Sequence, residues 1–243
     1  MHSDVEGHQT RATADKVKAV DYDKVTTYSK SAEIVPPLRA PTRRDHHIAA
    51  HVIGQVGGLV VPLFNETLGQ AIYVPGAIDP ALAEELSRPL GERRSSGKVV
   101  TLAGDDAFTH FIDRSELQEA YRERPRTQVS TDTAELGRWQ GLVAEQLDRH
   151  LRAIGKTTVF TLYSSQVGDE TFGSHLDAQP VLALHMGGEK AWDVDGDSVL
   201  MRPGDGLFIP AWMRHEVNTP SGRSTHLAIA AIDDHPATSA NAA

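Results

Sequence analysis

The fold is decided by residues 181–210, which read VLALHMGGEKAWDVDGDSVLMRPGDGLFIP. Short runs of apolar or alternating residues are separated here by three turn sequences, Gly187-Gly188, Asp195-Gly196 and Pro203-Gly204-Asp205. Glycine, proline and aspartate each favour tight turns, for different physical reasons. Strands separated by turns about every eight to twelve residues are typical of an antiparallel sandwich or barrel. This stretch therefore predicts a mainly β architecture.

The same rhythm continues on both sides of this stretch. A further turn sequence, Pro220-Ser221-Gly222, separates the last two strand-like runs. The core barrel is therefore expected to span about residues 157–232. The predicted strands are Thr157–Ser164, Val181–Met186, Lys190–Val194, Ser198–Met201, Gly206–Ile209, His215–Asn218 and Ser224–Ile232.

Helices are predicted before the barrel. The clearest is Thr133–Ile154, because its apolar residues recur at helical spacing and form one stripe. Gly155 ends this helix, and the stripe is expected to pack against one sheet. Two shorter helices are predicted at Asp79–Leu90, where Asp79 can cap the N-terminus, and near Ser115–Arg124.

The rest of the chain sets the domain boundaries. Val56–Phe64 and Lys98–Leu102 are apolar runs and are predicted as strands. Residues 1–45 are rich in charged and small residues and are expected to form a loosely attached N-terminal arm. Residues 46–234 are expected to form a single catalytic domain with helical support, followed by a C-terminal tail at 235–243.

Composition excludes several classes of protein and site. The chain has 243 residues, no cysteine and a formal net charge of −9. The lack of cysteine excludes disulfides, thiolate zinc sites and cysteine nucleophiles, and an acidic chain is a poor match for nucleic acid. No secretory signal or membrane-spanning run is visible. We expect a cytoplasmic protein that binds neither nucleic acid nor membranes, and a homodimer is left open.

A candidate metal site begins at Ser174-His175-Leu176-Asp177. On a strand, alternate residues share a face, so His175 and Asp177 would point together into the barrel. His215 lies on a later predicted strand. Two histidines and one carboxylate on one side of an octahedral ion form the facial triad of non-haem Fe(II) oxygenases. A His-x-Asp sequence also arises by chance, so the triad remains a hypothesis.

Lys190 is a second candidate. If Gly187-Gly188 forms a two-residue hairpin turn, Met186 pairs with Glu189 and His185 pairs with Lys190. Counting by twos from His175 places His185 on the inner face, and Lys190 then points inward too. A lysine inside a barrel is unfavourable unless it meets an anion, which a dicarboxylate cosubstrate would supply. The alternative is that Lys190 lies on the solvent face.

Several spaced motifs resemble the JmjC-type, cupin-fold 2-oxoglutarate oxygenases, most closely the ribosomal oxygenase branch. The resemblance covers about residues 157–232 and implies a double-stranded β-helix (a cupin-like jelly roll) with flanking helices. The matching motifs are Thr161-Leu162-Tyr163, Ser174-His175-Leu176-Asp177, Gly188-Glu189-Lys190-Ala191-Trp192, Pro203-Gly204-Asp205, Ile209-Pro210, His215 and Ser224-Thr225-His226-Leu227.

The resemblance also implies residue roles. Lys190 would bind the distal carboxylate of 2-oxoglutarate. Thr161 stands where the branch carries an asparagine that touches the cosubstrate, and threonine is shorter. The family often has a hydroxyl near the end of the last strand, where this chain has Ala230, so Thr225 is expected to substitute. The expected Fe(II) ligands are His175, Asp177 and His215.

Three further residues are candidates for contact with substrate or cosubstrate. Tyr163 shares the face of Thr161, and His185 is either a neighbour of the cosubstrate or a core histidine. Trp212 lies shortly before His215 and could line the mouth of the barrel, although a tryptophan more often belongs to the core.

The implied activity is that of an Fe(II)- and 2-oxoglutarate-dependent oxygenase. With O2 it would hydroxylate an unactivated C–H bond and release succinate and CO2; a carboxylate ligand at Asp177 argues against halogenation. No domains are expected after the barrel, and the interval between the histidine ligands is short. Both points favour a small molecule, such as an amino acid or biosynthetic intermediate. The alternatives are a peptide or protein side chain as substrate, or a metal-binding cupin without oxidative activity (a sensor, isomerase or structural barrel).

Overall fold

A computed structural model of the chain describes residues 18–19, 25–28, 41–65, 68–84, 87, 99–103, 107–111, 114–130 and 138–233. Most of the predicted arm, all of the predicted tail and the start of the Thr133–Ile154 helix lie outside these residues. The helices whose two ends are described are α1 (Arg43–Asn65), α2 (Arg114–Glu123) and α3 (Arg138–Arg152), and residues 80–84, within the predicted Asp79–Leu90 helix, are also helical. The strands are β1 (Lys18–Ala19), β2 (Val25–Tyr28), β3 (Ile72–Val74), β4 (Val99–Ala103), β5 (Ala107–Phe111), β6 (Gln128–Ser130), β7 (Lys156–Gln166), β8 (His175–Leu176), β9 (Val181–Gly187), β10 (Lys190–Val194), β11 (Asp197–Met201), β12 (Gly206–Ile209), β13 (His215–Asn218) and β14 (Arg223–Asp233).

The strands form two sheets that enclose a barrel. The smaller sheet has the order β1-β8-β13-β10-β11, and the larger has the order β2-β5-β4-β6-β7-β14-β9-β12-β3. The four strands β8, β13, β10 and β11 face β7, β14, β9 and β12 across an interior into which both sheets send side chains. This is the double-stranded β-helix that the sequence predicted, and the barrel strands lie at or within a few residues of their predicted positions.

Two short stretches of the predicted N-terminal arm pair with these sheets. β1 lies parallel to β8 and places Lys18 opposite His175, whereas β2 lies parallel to β5. The edge of the strand that carries His175 is therefore occupied by the chain's own N-terminal residues.

The predicted hairpin across Gly187-Gly188 is wrong. β9 pairs with β12 and β14 of the larger sheet, whereas β10 pairs with β11 and β13 of the smaller sheet. The glycine pair therefore carries the chain from one sheet to the other. Gly188 has φ +72°, and a Cβ there would overlap the Arg223 carbonyl oxygen, so the crossing requires glycine at this point.

The predicted strand at Val56–Phe64 is also wrong, because these residues belong to α1. The buried residues Val52, Val56, Val60 and Leu63 recur at spacings of four and three, which is the period of a helix and not of a strand. The helix is capped upstream of this run: the Thr42 N–H donates to Asp45, and the Asp45 N–H donates to Thr42 Oγ1. The contiguous apolar run hid this periodicity.

The helices α1 and α3 cover one face of the larger sheet. Val143, Leu147 and Leu151 of α3 are buried in one core cluster with α1 and with sheet residues such as Leu182 and Ile229. The predicted stripe of this helix therefore packs as expected, and Gly155 follows it with φ +75°. α1 is long and apolar enough to cross a membrane by length and composition, but its apolar stripe is already buried in this cluster.

Replacing Gly188 by alanine should destabilise the fold more than the same change at Gly196. Both glycines have positive φ, but a Cβ at Gly196 meets nothing within 4 Å. We expect Gly196→Ala to lower the free energy of unfolding by about 1–2 kcal/mol through backbone strain alone. Gly188→Ala adds the clash with Arg223 and should cost about 3 kcal/mol or more. Urea denaturation measures both, and equal losses would contradict a tight crossing.

Candidate metal centre

Strands β8 and β13 bring the predicted triad together. His175 and His215 are directly opposite each other on these two antiparallel strands, and Asp177 follows His175 by two residues. All three are buried, and one ligand atom from each lies within 4.8 Å of the others. The Asp177 carboxylate oxygens lie 3.9 Å from His175 Nε2 and 3.5 Å from His215 Nε2. The pattern of alternate residues on one strand face therefore predicted this convergence.

The backbone fixes the orientation of both imidazoles. His175 Nδ1 lies 2.9 Å from the Gly173 carbonyl oxygen, and His215 Nδ1 lies 3.0 Å from that of Met213. A carbonyl only accepts, so Nδ1 carries the proton on each ring and Nε2 offers its lone pair toward Asp177. This arrangement orients and fixes the tautomer of histidines that bind metals.

The electrostatic surroundings favour a neutral imidazole at His215. Burial lowers the pKa of His215, and the neighbouring His175 lowers it further, against smaller opposing effects of Asp177 and of the hydrogen bond to Met213. A neutral imidazole is the form that binds a metal. The donor set is thus two imidazole nitrogens and one carboxylate, which could hold an octahedral divalent ion and leave its other positions open.

Lys190 lies inside the same barrel. Its side chain is 1% exposed, and Nζ donates a hydrogen bond to Ser165 Oγ at 2.8 Å. Within the described parts of the chain, no carboxylate lies at ion-pair distance from this ammonium group. Burial lowers its pKa to about 7, although Asp169 at longer range opposes the shift. The solvent-facing alternative for Lys190 is therefore wrong.

Ser165 was missed from the sequence. On β7, Phe160 and Leu162 face the helices, so Thr161, Tyr163 and Ser165 share the interior face. Thr161 and Tyr163 are half-buried on this face, and their contacts with cosubstrate or substrate stay predictions. Continuing the count by twos from Thr161 would have found Ser165.

The predicted role of Thr225 is wrong, because Thr225 faces away from Lys190. In β14, Ser224 pairs with Ser165, while Thr225 pairs with Ser164. Neighbouring residues on a strand point to opposite faces, so Ser224 shares the interior face. Its Oγ is buried and has no hydrogen-bond partner, which makes Ser224 the hydroxyl available beside Lys190.

A group of aromatic side chains lies in the barrel interior beside the triad. Tyr163 stacks on His226 at 4.7 Å, and the Trp192 ring lies 5.4 Å from His226 and 6.0 Å from His215. His185 is opposite His226 on the paired strand. Through Trp192, these rings are in contact with one of the two histidine ligands.

His185 is a neutral core histidine. Its Nε2 lies 3.0 Å from the Gly188 carbonyl oxygen, so Nε2 carries the proton, and its buried Nδ1 has no partner. Burial lowers its pKa to about 4. His185 therefore offers a hydrogen-bond acceptor and no charge at neutral pH.

Trp212 lies at the surface beside the triad. Its backbone N–H donates to the Asp177 carbonyl oxygen at 2.7 Å, while its side chain is 62% exposed. It therefore belongs to the rim of the barrel and not to the core.

No protein-family model matches the chain, and no curated protein matches it. Among solved structures it is similar to a cupin superfamily protein from Desulfitobacterium hafniense, with 26% identity over 31% of this chain and 68% of that one and a TM-score of 0.29. The ribosomal oxygenase YcfD from Escherichia coli, in complex with cobalt and succinic acid, shows 19% identity over 70% of this chain with a TM-score of 0.46. Salicylate 1,2-dioxygenase from Pseudoaminobacter salicylatoxidans shows 14% identity over 30% of this chain and 20% of that one, with a TM-score of 0.28. The chain spans about half (49%) of the length of YcfD.

Removing a triad ligand should abolish metal binding without unfolding the chain. We expect His175→Ala and Asp177→Ala each to weaken Mn(II) or Co(II) binding at least about 100-fold, because a remaining pair of ligands binds poorly. Isothermal titration measures the affinity, and circular dichroism checks the fold. His150→Ala, at an exposed histidine on α3, is the control. Unchanged affinity in both triad variants would contradict the site.

Proposed function

We propose that the protein is an Fe(II)- and 2-oxoglutarate-dependent oxygenase that hydroxylates an unactivated C–H bond of a small molecule and releases succinate and CO2. The observation that carries this proposal is the buried Lys190 ammonium group, which shares one barrel interior with the His175, Asp177 and His215 triad. A triad alone would suit many metal-binding barrels.

The charges of the interior favour a dianion. Lys190 is a cation without a carboxylate partner in the described residues, and Asp177 is the carboxylate of the triad. With a divalent metal, these groups carry two net positive charges in a low-dielectric space, which is strongly unfavourable. A dicarboxylate neutralises both charges, and 2-oxoglutarate also places a keto group beside one carboxylate to reach the metal.

The residues around Lys190 suit one end of such a ligand. Lys190 Nζ and the unpartnered Ser224 hydroxyl can donate to carboxylate oxygens, and the Ser165 hydroxyl, which also hydrogen-bonds Thr219 Oγ1, holds Lys190 Nζ in place. Bonds of this kind hold the acid in one orientation, with its keto end toward the triad.

Fe(II) held by the triad would supply the dioxygen chemistry that couples loss of CO2 from the 2-oxo acid to oxygen transfer into the substrate. The chain's own residues keep this space dry. Apolar side chains on four strands close the interior around the site, and this strengthens every electrostatic interaction within it. They are Ala183, Trp192, Val194, Met201, Leu207 and Ile209.

A small substrate is favoured over a peptide. An extended peptide could add to a sheet edge next to the metal, but β1 already occupies the edge of β8. A peptide or protein side chain remains the second substrate class, and a metal-binding cupin without oxidative activity is the competing function.

The deciding experiment measures succinate release from 2-oxoglutarate with Fe(II), ascorbate and O2, and measures 2-oxoglutarate binding by titration. We expect the protein to bind 2-oxoglutarate and to release succinate slowly, and candidate substrates to stimulate this release.

Lys190→Met should weaken 2-oxoglutarate binding about 100-fold or more and leave metal affinity nearly unchanged. Lys156→Met, at a lysine paired with Asp233 on the barrel surface, is the matched control. A metal-loaded protein that neither binds 2-oxoglutarate nor releases succinate would favour the cupin without oxidative activity.

The same Lys190→Met variant should be more stable than the parent protein. Burial of the ammonium group is unfavourable, and a methionine of similar length removes that cost. We expect the free energy of unfolding at pH 7 to rise by about 2–4 kcal/mol.

Because the folded pKa of Lys190 is about 7, below that of an exposed lysine, the unfolded chain binds more protons above pH 7. The free energy of unfolding of the parent protein should therefore rise with pH above 7, and the Lys190→Met variant should not show this rise.

Binding of 2-oxoglutarate should weaken as the pH rises. The ammonium form of Lys190 binds the carboxylate, and a pKa of about 7 leaves it mostly charged at pH 6 and mostly neutral at pH 8. The apparent affinity should fall about tenfold over this range. Titration of Mn(II)-loaded parent and Lys190→Met protein separates this effect from metal loss. An equal pH dependence in both proteins would show that another group is responsible.

A further inference from the structure

Trp212 has an unfavourable backbone conformation. Of the non-glycine residues that the structure describes, two have positive φ: Asp195 at 52° and Trp212 at 62°. Aspartate adopts this region in turns because its short polar side chain can hydrogen-bond locally. A tryptophan has no such compensation, so its conformation is a genuine outlier. Residues of this kind cluster at sites that bind ligands.

Burial does not compensate for this strain. The Trp212 side chain is 62% exposed, whereas Trp139 and Trp192 are 6% and 4% exposed. An indole buried in the core would repay an unfavourable backbone through the hydrophobic effect, but this ring leaves most of its surface in water. A glycine would satisfy the turn without strain, so the turn itself gives no reason for tryptophan.

The position of Trp212 is fixed beside the triad. Its N–H donates to the carbonyl oxygen of Asp177 at 2.7 Å, and the Met213 N–H donates to the Pro210 carbonyl oxygen within the same turn. His215 follows three residues later. The backbone that carries the exposed ring is therefore hydrogen-bonded to one candidate ligand and leads directly into another.

We propose that Trp212 is a substrate-binding residue whose indole face stacks against a flat, uncharged ring of the small-molecule substrate at the barrel mouth. This inference rests on the proposed function. The surroundings favour such a group, because the neighbouring Ala178 and Met213 are uncharged. The charge of Arg214 is directed toward Asp193, at 4.0 Å. Ring stacking needs a large, open aromatic face, which Trp212 provides.

Fluorescence can report on this ring without turnover, because Trp139 and Trp192 are buried. With the Zn(II)- and 2-oxoglutarate-loaded protein, acrylamide quenching of emission is measured in the presence of phenylalanine, tyrosine, cyclohexylalanine and leucine. We expect phenylalanine or tyrosine to protect Trp212, and cyclohexylalanine and leucine, which lack a flat π face, to protect it much less. Trp212→Gly should abolish the protection, whereas Trp212→Phe should retain aromatic binding at about threefold lower affinity.

Stability and kinetics distinguish a binding role from a structural one. Trp212→Gly relieves the strain, so its Tm should equal or exceed that of the parent by up to about 2–4 °C. Its KM for a ring-bearing substrate should rise about tenfold, with the KM for 2-oxoglutarate unchanged. Leu200→Ala, at another exposed apolar residue, on β11, is the control and should change neither value.

Four outcomes would decide the proposal. A marked fall in the Tm of Trp212→Gly would show that the indole is structural and would overturn it. Equal protection by cyclohexylalanine would also overturn the flat-ring assignment. If aromatic compounds protect Trp212 while the protein fails to bind 2-oxoglutarate, the Trp212 site stands and the proposed oxygenase function fails. If succinate release is established and no aromatic compound affects Trp212, only the present inference fails.

Discussion

The hydrogen bond from Lys190 Nζ to Ser165 Oγ joins the two sheets at the centre of the barrel. It connects β10 of the smaller sheet to β7 of the larger one, and it satisfies one of the three hydrogens of a buried ammonium group. In the described chain, no carboxylate lies at ion-pair distance from this ammonium group, and Asp169 acts on its charge only at longer range. The buried ammonium group therefore lowers the stability of the folded chain. The buried Ser224 hydroxyl, on the same face as Ser165, also lacks a hydrogen-bond partner. The interior is arranged for a ligand more than for the stability of the empty barrel.

The histidines of the interior have two different environments. His175 and His215 each use Nδ1 to donate to a backbone carbonyl, and this leaves Nε2 free at the triad. His185 does the reverse, since its Nε2 donates to Gly188 and its Nδ1 is left over. Burial lowers the pKa of His226 as well as that of His185, and the charge of Lys190 adds to both shifts. Burial thus favours the neutral forms of His185, His215 and His226, so Lys190 is the group among them that can still carry a positive charge near neutral pH.

The barrel and the triad were predictable because both follow local rules. Turn residues at regular intervals mark the strands, and the His-x-Asp spacing places two side chains on one face of a strand. The predictions for the Gly187-Gly188 turn and for Thr225 are wrong because both features depend on contacts between segments that are distant in sequence. The turn at Gly187-Gly188 has the sequence of a hairpin, but only the close approach to Arg223 reveals that it changes sheets. Thr225 and Ser224 cannot be distinguished without the register against β7. The strand predicted within α1 is wrong because an unbroken apolar run is compatible with a strand. Only the spacing of the buried residues Val52, Val56 and Val60 indicates a helix.

The pairing of Lys18 with His175 joins residues that are far apart in the sequence, and this affects the order of folding. Closing a loop between the first strand and the eighth carries an entropic cost, since the three helices and strands β2–β7 lie between them. Contacts of such long sequence separation form late, after the local β7–β14 and β10–β11 pairs have assembled. The strand that bears His175 and leads to Asp177 therefore completes its edge at the end of folding, when the ribosome has long released the N-terminal residues that must return to it.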